Sequence, residues 1–445
     1  MLQGIAATLL ARGRTWLFTF SLLACGLIPR FLRYCFARAL SFQLKEFAKE
    51  IGNIPSDRLL KTVLFISVRL HSREPRLAAA ARLAGWDPWL VYCGRANLDL
   101  DENFLRATRV ENRFQLVMAM WLFRGPLIHL FAPSGHEAYF LVRIKHRPVV
   151  IDLYDTCSGI TQIPQRRKRN ERKAMELADG MTHRDLRGKY LKRLHGYKLP
   201  RFNIFIHDLL PESPRHSPDQ SRWPEIRVAS VGWIDDKENS ILRTAIALGE
   251  ARIHVHVLFN PFQSNSECYL RLQQSSEYFH IERSVTGTAF REQLARYDFG
   301  LAIFERHLFQ EACAAYSEDY ILACGSSRLM DYVHAGLGVI ISPTLRFQHF
   351  FARRYAPVVV HASRDFLKNP RPFLEAALRE KAQARPRDCS AVTVRGVATR
   401  LGEFYSRLSS VEPVDDGSSA AATRGETREF CGNNDEVIHS PFSRR

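Results

Sequence analysis

The sequence predicts an α/β protein built from two doubly wound domains that face each other across a cleft. Three observations predict it. Short apolar runs rich in β-branched residues alternate with helix-like stretches; the alternation stops at a polar segment and then restarts; and 445 residues with 46% hydrophobic content exceed one ordinary core.

Residues 61–67 (KTVLFIS) form a short apolar run that reads as a strand buried on both faces, as in a parallel sheet. Residues 75–84, rich in Ala and Leu with interspersed arginines, read as a helix stopped at Gly85, and 89–92 as the next strand, which completes a βαβ unit. Further strands are expected at 126–131 (PLIHLF), 148–153 (PVVIDL), 181–183 and 202–206, with helices at 137–145 and 168–178. Such alternation implies a Rossmann-like domain, placed at 58–215.

Between 210 and 223 the residues turn to Pro, Ser, Asp and Arg and mark a linker. Strands are then expected at 226–231, 253–259, 299–304 and 339–342, and helices at 240–248, 287–297 and 327–335, giving a second Rossmann-like domain over 222–385. A C-terminal helix is placed at 386–410. The stretch 411–445, rich in Gly, Ser, Thr, Asp and Glu, reads as a disordered tail.

Residues 1–45 are expected to form a membrane-associated helical segment. The apolar run 16–28 falls short of the roughly 20 residues that a spanning helix needs. Arg30, Arg33 and Arg38 then alternate with Phe31, Leu32, Tyr34, Phe36 and Leu40 in a helical rhythm. That pattern suits a basic amphipathic helix lying on an anionic membrane surface, here the cytoplasmic face. A secretory signal, a lipoprotein-like signal around Cys25 and a helix packed on the protein's own core stay open as alternatives.

The formal charge of +17 makes the surface attract anions: nucleic acid, acidic lipid or a phosphorylated substrate. The basic residues are spread along the chain without a zinc knuckle, RNP-type motif or basic zipper, so nucleic acid is not an expected partner. Nine cysteines lie far apart, with no spacing that resembles a metal site, and read as reduced, mostly buried thiols of a cytosolic protein.

The strongest local signal for chemistry is 325–342 (GSSRLMDYVHAGLGVIIS). Gly325, Ser326 and Ser327 at a helix start offer small residues, backbone N–H groups and the positive end of a helix dipole, where a diphosphate docks. Asp331, one turn on, is placed to accept hydrogen bonds from ribose hydroxyls. The competing reading is an N-capped helix closed by Gly336, with Asp331 merely solvated.

This stretch resembles the C-terminal signature of GT-B glycosyltransferases related to family 4, of the form S-P-x-K-L-x-E-Y-x-A-x-G-x-P-V-I. Ser327, Arg328, Leu329, Asp331, Tyr332, Ala335, Gly336, Val339 and Ile340 match or nearly match it. Residues 67–90 are similar to that family's first strand and helix, 149–155 (VVIDLYD) to an acidic strand end midway through its first domain, and 176–184 to the helix and strand that follow. Residues 228–235 (VASVGWID) look like the entry to the second domain, and 297–305 like its donor-side strand. The resemblance runs in order from about residue 61 to about 409.

The resemblance implies a GT-B fold and a metal-independent glycosyltransferase of hexosyltransferase type. Its substrate is a nucleotide-sugar donor rather than a bound cofactor, and its acceptor a lipid-linked or polysaccharide glycan. Gly232, Arg306, Ser326, Ser327, Arg328 and Asp331 then form the donor site, in which Arg328, Arg306 and the helix start stabilise the leaving diphosphate. Asp152 and Asp155, at a strand's carboxyl end, are candidates for general base, and Glu305 joins them as a catalytic candidate; Arg69, Arg76 and His183 face the acceptor. Turn-capping aspartates and a surface Glu305–Arg306 ion pair are the plainer readings. Three positions depart from the family pattern: Ala323 stands where the first of two glutamates is usual, Arg328 where lysine is, and Gly338 where proline is. A retaining mechanism therefore does not carry over, and an inactive scaffold or a sugar-nucleotide epimerase remain alternatives.

Overall fold

The computed structural model describes residues 42–94, 100, 102–160, 163–210, 225–232, 241–259, 267–285, 287–304 and 317–410. In the first half, α1 (Phe42–Gly52) and the short α2 (Ser56–Leu59) lead into β1 (Thr62–Ser67). There follow α3 (Arg73–Leu83), β2 (Asp87–Cys93), β3 (Arg106–Val110), α4 (Arg113–Leu122), β4 (Leu127–Ala132), α5 (Gly135–Val142), β5 (Val149–Leu153), α6 (Gln165–Leu177), β6 (Gly180–His183), α7 (Arg187–His195) and β7 (Phe202–Phe205).

The second half runs β8 (Arg227–Val231), α8 (Leu242–Glu250), β9 (His254–Phe259), α9 (Glu267–Ser275), β10 (Phe279–Arg283), α10 (Gly287–Leu294), β11 (Phe299–Ala302), α11 (Glu318–Ala323), α12 (Ser327–His334), β12 (Gly338–Ile341), α13 (Arg346–Tyr355), β13 (Val359–His361), α14 (Arg364–Lys368), α15 (Pro370–Gln383) and α16 (Val394–Ser409).

Two separate sheets result. The first has seven strands in the order β3-β2-β1-β4-β5-β6-β7, the second six in the order β10-β9-β8-β11-β12-β13, and every strand pair is parallel. Both orders reverse direction once, between β1 and β4 and between β8 and β11, which is where doubly wound sheets open a crevice at their carboxyl ends. The fold is α/β with two Rossmann-like sheets, GT-B-like as the resemblance implies.

Why these runs become central strands is visible in β1. Its residues are all buried because the pleat sends Leu64 and Ile66 into one core and Val63 and Phe65 into the other. Helices α1 and α4 close the first face through Leu44, Phe47, Leu116 and Met120. The opposite face is closed by α3 together with the last helix, α16, through Leu77, Ala81, Leu401 and Phe404. Gly402 permits this approach, since a Cβ there would lie 2.7 Å from that of Ala84. The 386–410 region, placed after the second domain by sequence, thus returns its helix to the first.

Other expectations shift in detail. The boundary drawn at 45 falls inside α1, whose Phe47 and Ile51 pack on the first core. The helix expected at 287–297 ends at Leu294. Strands β3, β10 and β13 and helices α1, α2, α4, α7, α9, α11 and α13 to α15 were not expected from the sequence; β3 (RATRV) carries charge on an edge strand and so lacks the apolar run of a central one. Residues 1–41, with the apolar run 16–28, lie outside the described residues, as do most of the linker and the tail at 411–445. No helix among the described residues is long and apolar enough to cross a membrane.

Candidate functional site

The site begins with the seating of α12. Tyr332, fully buried, donates to the carbonyl of Leu301 in β11 and accepts from the backbone N–H of Val231 at the end of β8. Its ring rests on Gly300, where a Cβ would come within 2.3 Å of Tyr332 Cγ. One side chain therefore pins α12 across the switch point of the second sheet. Gly232, next after β8, has φ +93° and its Cα faces Arg328, whose Nε would stand 3.2 Å from a Cβ there. The structure thus brings Gly232 and Arg328 together at the carboxyl end of β8.

Ser326 caps α12 by position only: its side chain makes no capping bond to the first turn. Gly325 and Ser326 line a small interdomain cavity of about 10 Å³ with Leu329, Met330 and Phe347. Across it stand Arg184, His207 and Asp208 from the first domain. Ser327, partly exposed, opens the helix behind Ser326.

The first domain contributes buried ion pairs. Arg73 is 3% exposed and donates to Asp152 at 2.8 Å, to Asp208 at 3.4 Å and to the carbonyls of Ile206 and His207. Thr182 donates to the same Asp152 oxygen, Oδ2. Arg184 reaches Asp208 at 2.8 Å; burial opposes its charge most strongly, but Asp208, Asp185 and Asp155 together outweigh it and the guanidinium is held above its ordinary value. Asp208 in turn is held below the usual carboxylate range, burial being overcome by Arg184 and Arg73. His207 lies against Phe351, its ring 3.8 Å from that ring, and burial pushes its pKa to about 3, so it is neutral at pH 7.

One ion pair and a tyrosine-centred cluster join the domains. Arg76 donates to Asp331 at 2.7 Å and to the carbonyl of Leu209 at 2.8 Å. Arg187 holds Asp185 at 2.7 Å, Asp155 at 3.1 Å and the hydroxyl of Tyr320 in α11 at 2.8 Å, and Tyr320 donates to Asp155. Asp185 also accepts from the N–H of Gly325. Ser317 donates its N–H to the Gly159 carbonyl, and a Cβ on Gly159 would clash with the Tyr320 ring.

These placements sort the expected residues. Gly232, Ser326, Ser327, Arg328 and Asp331 share one end of the second domain, but Asp331 is bonded to Arg76 rather than merely solvated. Arg76, expected at the acceptor, meets α12 of the second domain. Asp152 is fully buried, and its Oδ2 is taken by Arg73 and Thr182, so as built it serves the interior of the first domain and is closed to an acceptor hydroxyl. Asp155 is the accessible carboxylate of the two, its side chain 58% exposed, with both of its bonds on Oδ1.

His183 sits against α7, where Gly188 makes room for its ring, and burial lowers its pKa to about 4; it does not line the cavity. Arg69 is exposed on the loop after β1. Glu305 and Arg306 lie outside the described residues.

Sequence reading passed over Arg73, Asp185, Arg187, Asp208 and Tyr320. Dense opposite charge directly after short strands, as in RDLR at 184–187 and HD at 207–208, was the available signal. Glu74, also fully buried, accepts from Ser67 Oγ at 2.7 Å and from the N–H of His71; burial raises its pKa to about 7.

No family model and no curated protein matches the chain. Among solved structures it is similar to AviGT4, a glycosyltransferase involved in avilamycin A biosynthesis, at 11% identity and a TM-score of 0.49, over 78% of this chain and 98% of that one. It is similar also to a putative UDP-N-acetylglucosamine 2-epimerase from Listeria monocytogenes, at 10% identity and a TM-score of 0.48, over 76% and 93% of the two chains. The lipopolysaccharide outer core galactosyltransferase WaaB matches at 10% identity and a TM-score of 0.44, over 78% and 98%. Likeness of this degree decides nothing about activity, and the two-sheet topology stands on the chain's own strand order.

Proposed function

We propose that the chain is a nucleotide-sugar-using enzyme, a glycosyltransferase that binds its donor at the start of α12 and passes the sugar to a lipid-linked or polysaccharide acceptor at the cytoplasmic face of a membrane. The observation that carries the reading is the uncapped N-terminus of α12, with Arg328 beside Gly232 at the second sheet's switch point and the cavity opening past Gly325 and Ser326.

In this reading the diphosphate takes N–H groups of the first turn and the Arg328 guanidinium, which stabilise the charge that develops on the leaving group. Asp331 turns from Arg76 to the ribose when the donor arrives. Asp155 is the carboxylate best exposed for a hydrogen bond to an acceptor hydroxyl. The membrane face rests on the basic, apolar composition of 1–45 alone.

A second reading, a binding scaffold without turnover, is favoured by the sealing of Asp152 and the occupation of Asp331. The test is a titration of the full chain with UDP, GDP and ADP, repeated on Arg328→Ala and Asp331→Ala, followed by donor hydrolysis and transfer to membrane extracts. Binding lost in both variants together with turnover supports the transferase. Binding without turnover supports the scaffold, and no binding to any nucleoside diphosphate removes the proposal.

A further inference from the structure

Away from the cleft, the second sheet carries three histidines on one face. His254 and His256 are two apart on β9, so they point the same way, and His280 on the edge strand β10 lies directly opposite His256 in the parallel register. One ring nitrogen from each falls within 4.8 Å of the other two. His254 Nδ1 and His280 Nε2 are 2.8 Å apart.

The outer nitrogens are occupied by carboxylates. His254 Nε2 lies 2.5 Å from Glu225, and His256 Nδ1 lies 2.5 Å from Glu282. Glu282 is held in turn by Tyr297 and Gln293. A carboxylate on one imidazole nitrogen fixes the proton there and leaves a lone pair on the other, the arrangement that orients metal-ligating histidines. His256 Nε2 fits this description: it is buried and has no hydrogen-bond partner among the described residues. A buried nitrogen of that kind is costly unless something accepts its lone pair.

We propose that His254, His256 and His280 form a binding site for one divalent transition-metal ion of the zinc class, with Glu225 and Glu282 as the orienting outer shell. Three imidazoles suit zinc, whose bonds to nitrogen run to about 2.0–2.1 Å and whose tetrahedral ligand nitrogens stand about 3.3 Å apart. The spacings found here, 2.8 Å between His254 and His280 and no more than 4.8 Å across the three, bracket that value. The fourth position is left for water. Bound there, the ion joins edge strand β10 to β9, so its role is to fasten the outer edge of the second domain; it is remote in sequence and in sheet position from the carboxyl-end cleft and independent of the function proposed there.

The test uses the full chain stripped by chelator and titrated with Zn(II), then with Co(II) as a spectroscopic substitute. Expected are one ion per chain, a higher melting temperature with metal, and a visible Co(II) spectrum of nitrogen and oxygen ligation. Binding should fall by a hundredfold or more in His256→Asn/His280→Asn. It should fall roughly ten- to a hundredfold in Glu282→Gln, which keeps all three ligands. Failure of the intact chain to bind stoichiometric Zn(II) overturns the proposal. So does unchanged affinity in the double variant, or a thiolate charge-transfer band that assigns the ion to cysteines instead.

Discussion

Glu74 offers a quantitative check on how the first domain tolerates charge at its crevice. The residue is fully buried beside the carboxyl end of β1, and its pKa rises from the ordinary 4.5 to about 7, burial being the main cause. An acid held protonated in the folded state but not in the unfolded one contributes stability that is whole below about pH 4.5 and is lost as pH rises through about 7. At 1.36 kcal/mol per pH unit the loss amounts to roughly 3 kcal/mol. Glu74→Gln keeps a carbonyl oxygen to accept from Ser67 and His71 but carries no titrating proton. The unfolding free energy of the variant is therefore expected to gain on that of the parent by roughly 3 kcal/mol between about pH 5 and about pH 8.5. Urea denaturation followed by tryptophan fluorescence reads the first domain, because Trp86 and Trp89 are buried there at 3% and 7% exposure. Parallel stability profiles for the two proteins across that range would refute the reasoning, since they would mean that Glu74 ionises alike folded and unfolded.

Other perturbations address the cleft. Arg187→Ala strips the guanidinium from Asp185, 3% exposed, and should cost roughly 3–5 kcal/mol, seen as a lower denaturation midpoint and a larger radius of gyration in X-ray scattering as the domains part. Gly300→Ala drives a methyl into the Tyr332 ring; about 1–3 kcal/mol of destabilisation is expected, with weaker nucleoside diphosphate binding because α12 shifts, both checked by thermal melting and titration calorimetry. Arg76→Ala frees the Asp331 carboxylate, so nucleotide affinity should rise or hold where Asp331→Ala lowers it; equal losses in both variants would show that Arg76 itself holds the ligand.

What the sequence made legible follows from where the energy lies. Central strands such as 62–67 and 149–153 are buried on both faces, so their composition alone betrays them. The edge strands β3, β10 and β13 face solvent on one side and carry Arg106, Glu282 and His361, which hides them from a search for apolar runs. The α12 motif was legible because small residues, a tyrosine and an acid stand at fixed spacing along one helix that Ser326 begins, although Gly300 and Arg76, which receive Tyr332 and Asp331, come from elsewhere in the chain. The Arg73–Asp152 pair was not, because its partners are 79 residues apart and only the juxtaposition of β5 and α3 unites them. The histidine cluster was half legible: His254 and His256 alternate on one strand, but the register that adds His280 belongs to the fold.

Of the ion pairs that the described residues form in the cleft, Arg76–Asp331 alone crosses from one domain to the other; the rest lie within the first. Arg73, Arg76, Arg184 and Arg187 face Asp152, Asp155, Asp185, Asp208 and Asp331, so the carboxylates slightly outnumber the guanidiniums bound to them. Such a cluster has no net attraction for a diphosphate as it stands; that attraction must come from Arg328 and the open turn of α12. Any ligand that recruits Asp331 also sets Arg76 free, and an uncompensated arginine only 18% exposed is unfavourable unless it finds a new anion. If the donor proposed above recruits Asp331, its binding and the loosening of the interdomain contact are one event energetically. In the reading proposed above, the ion pair that joins the two domains would release, on binding, a cation at their boundary.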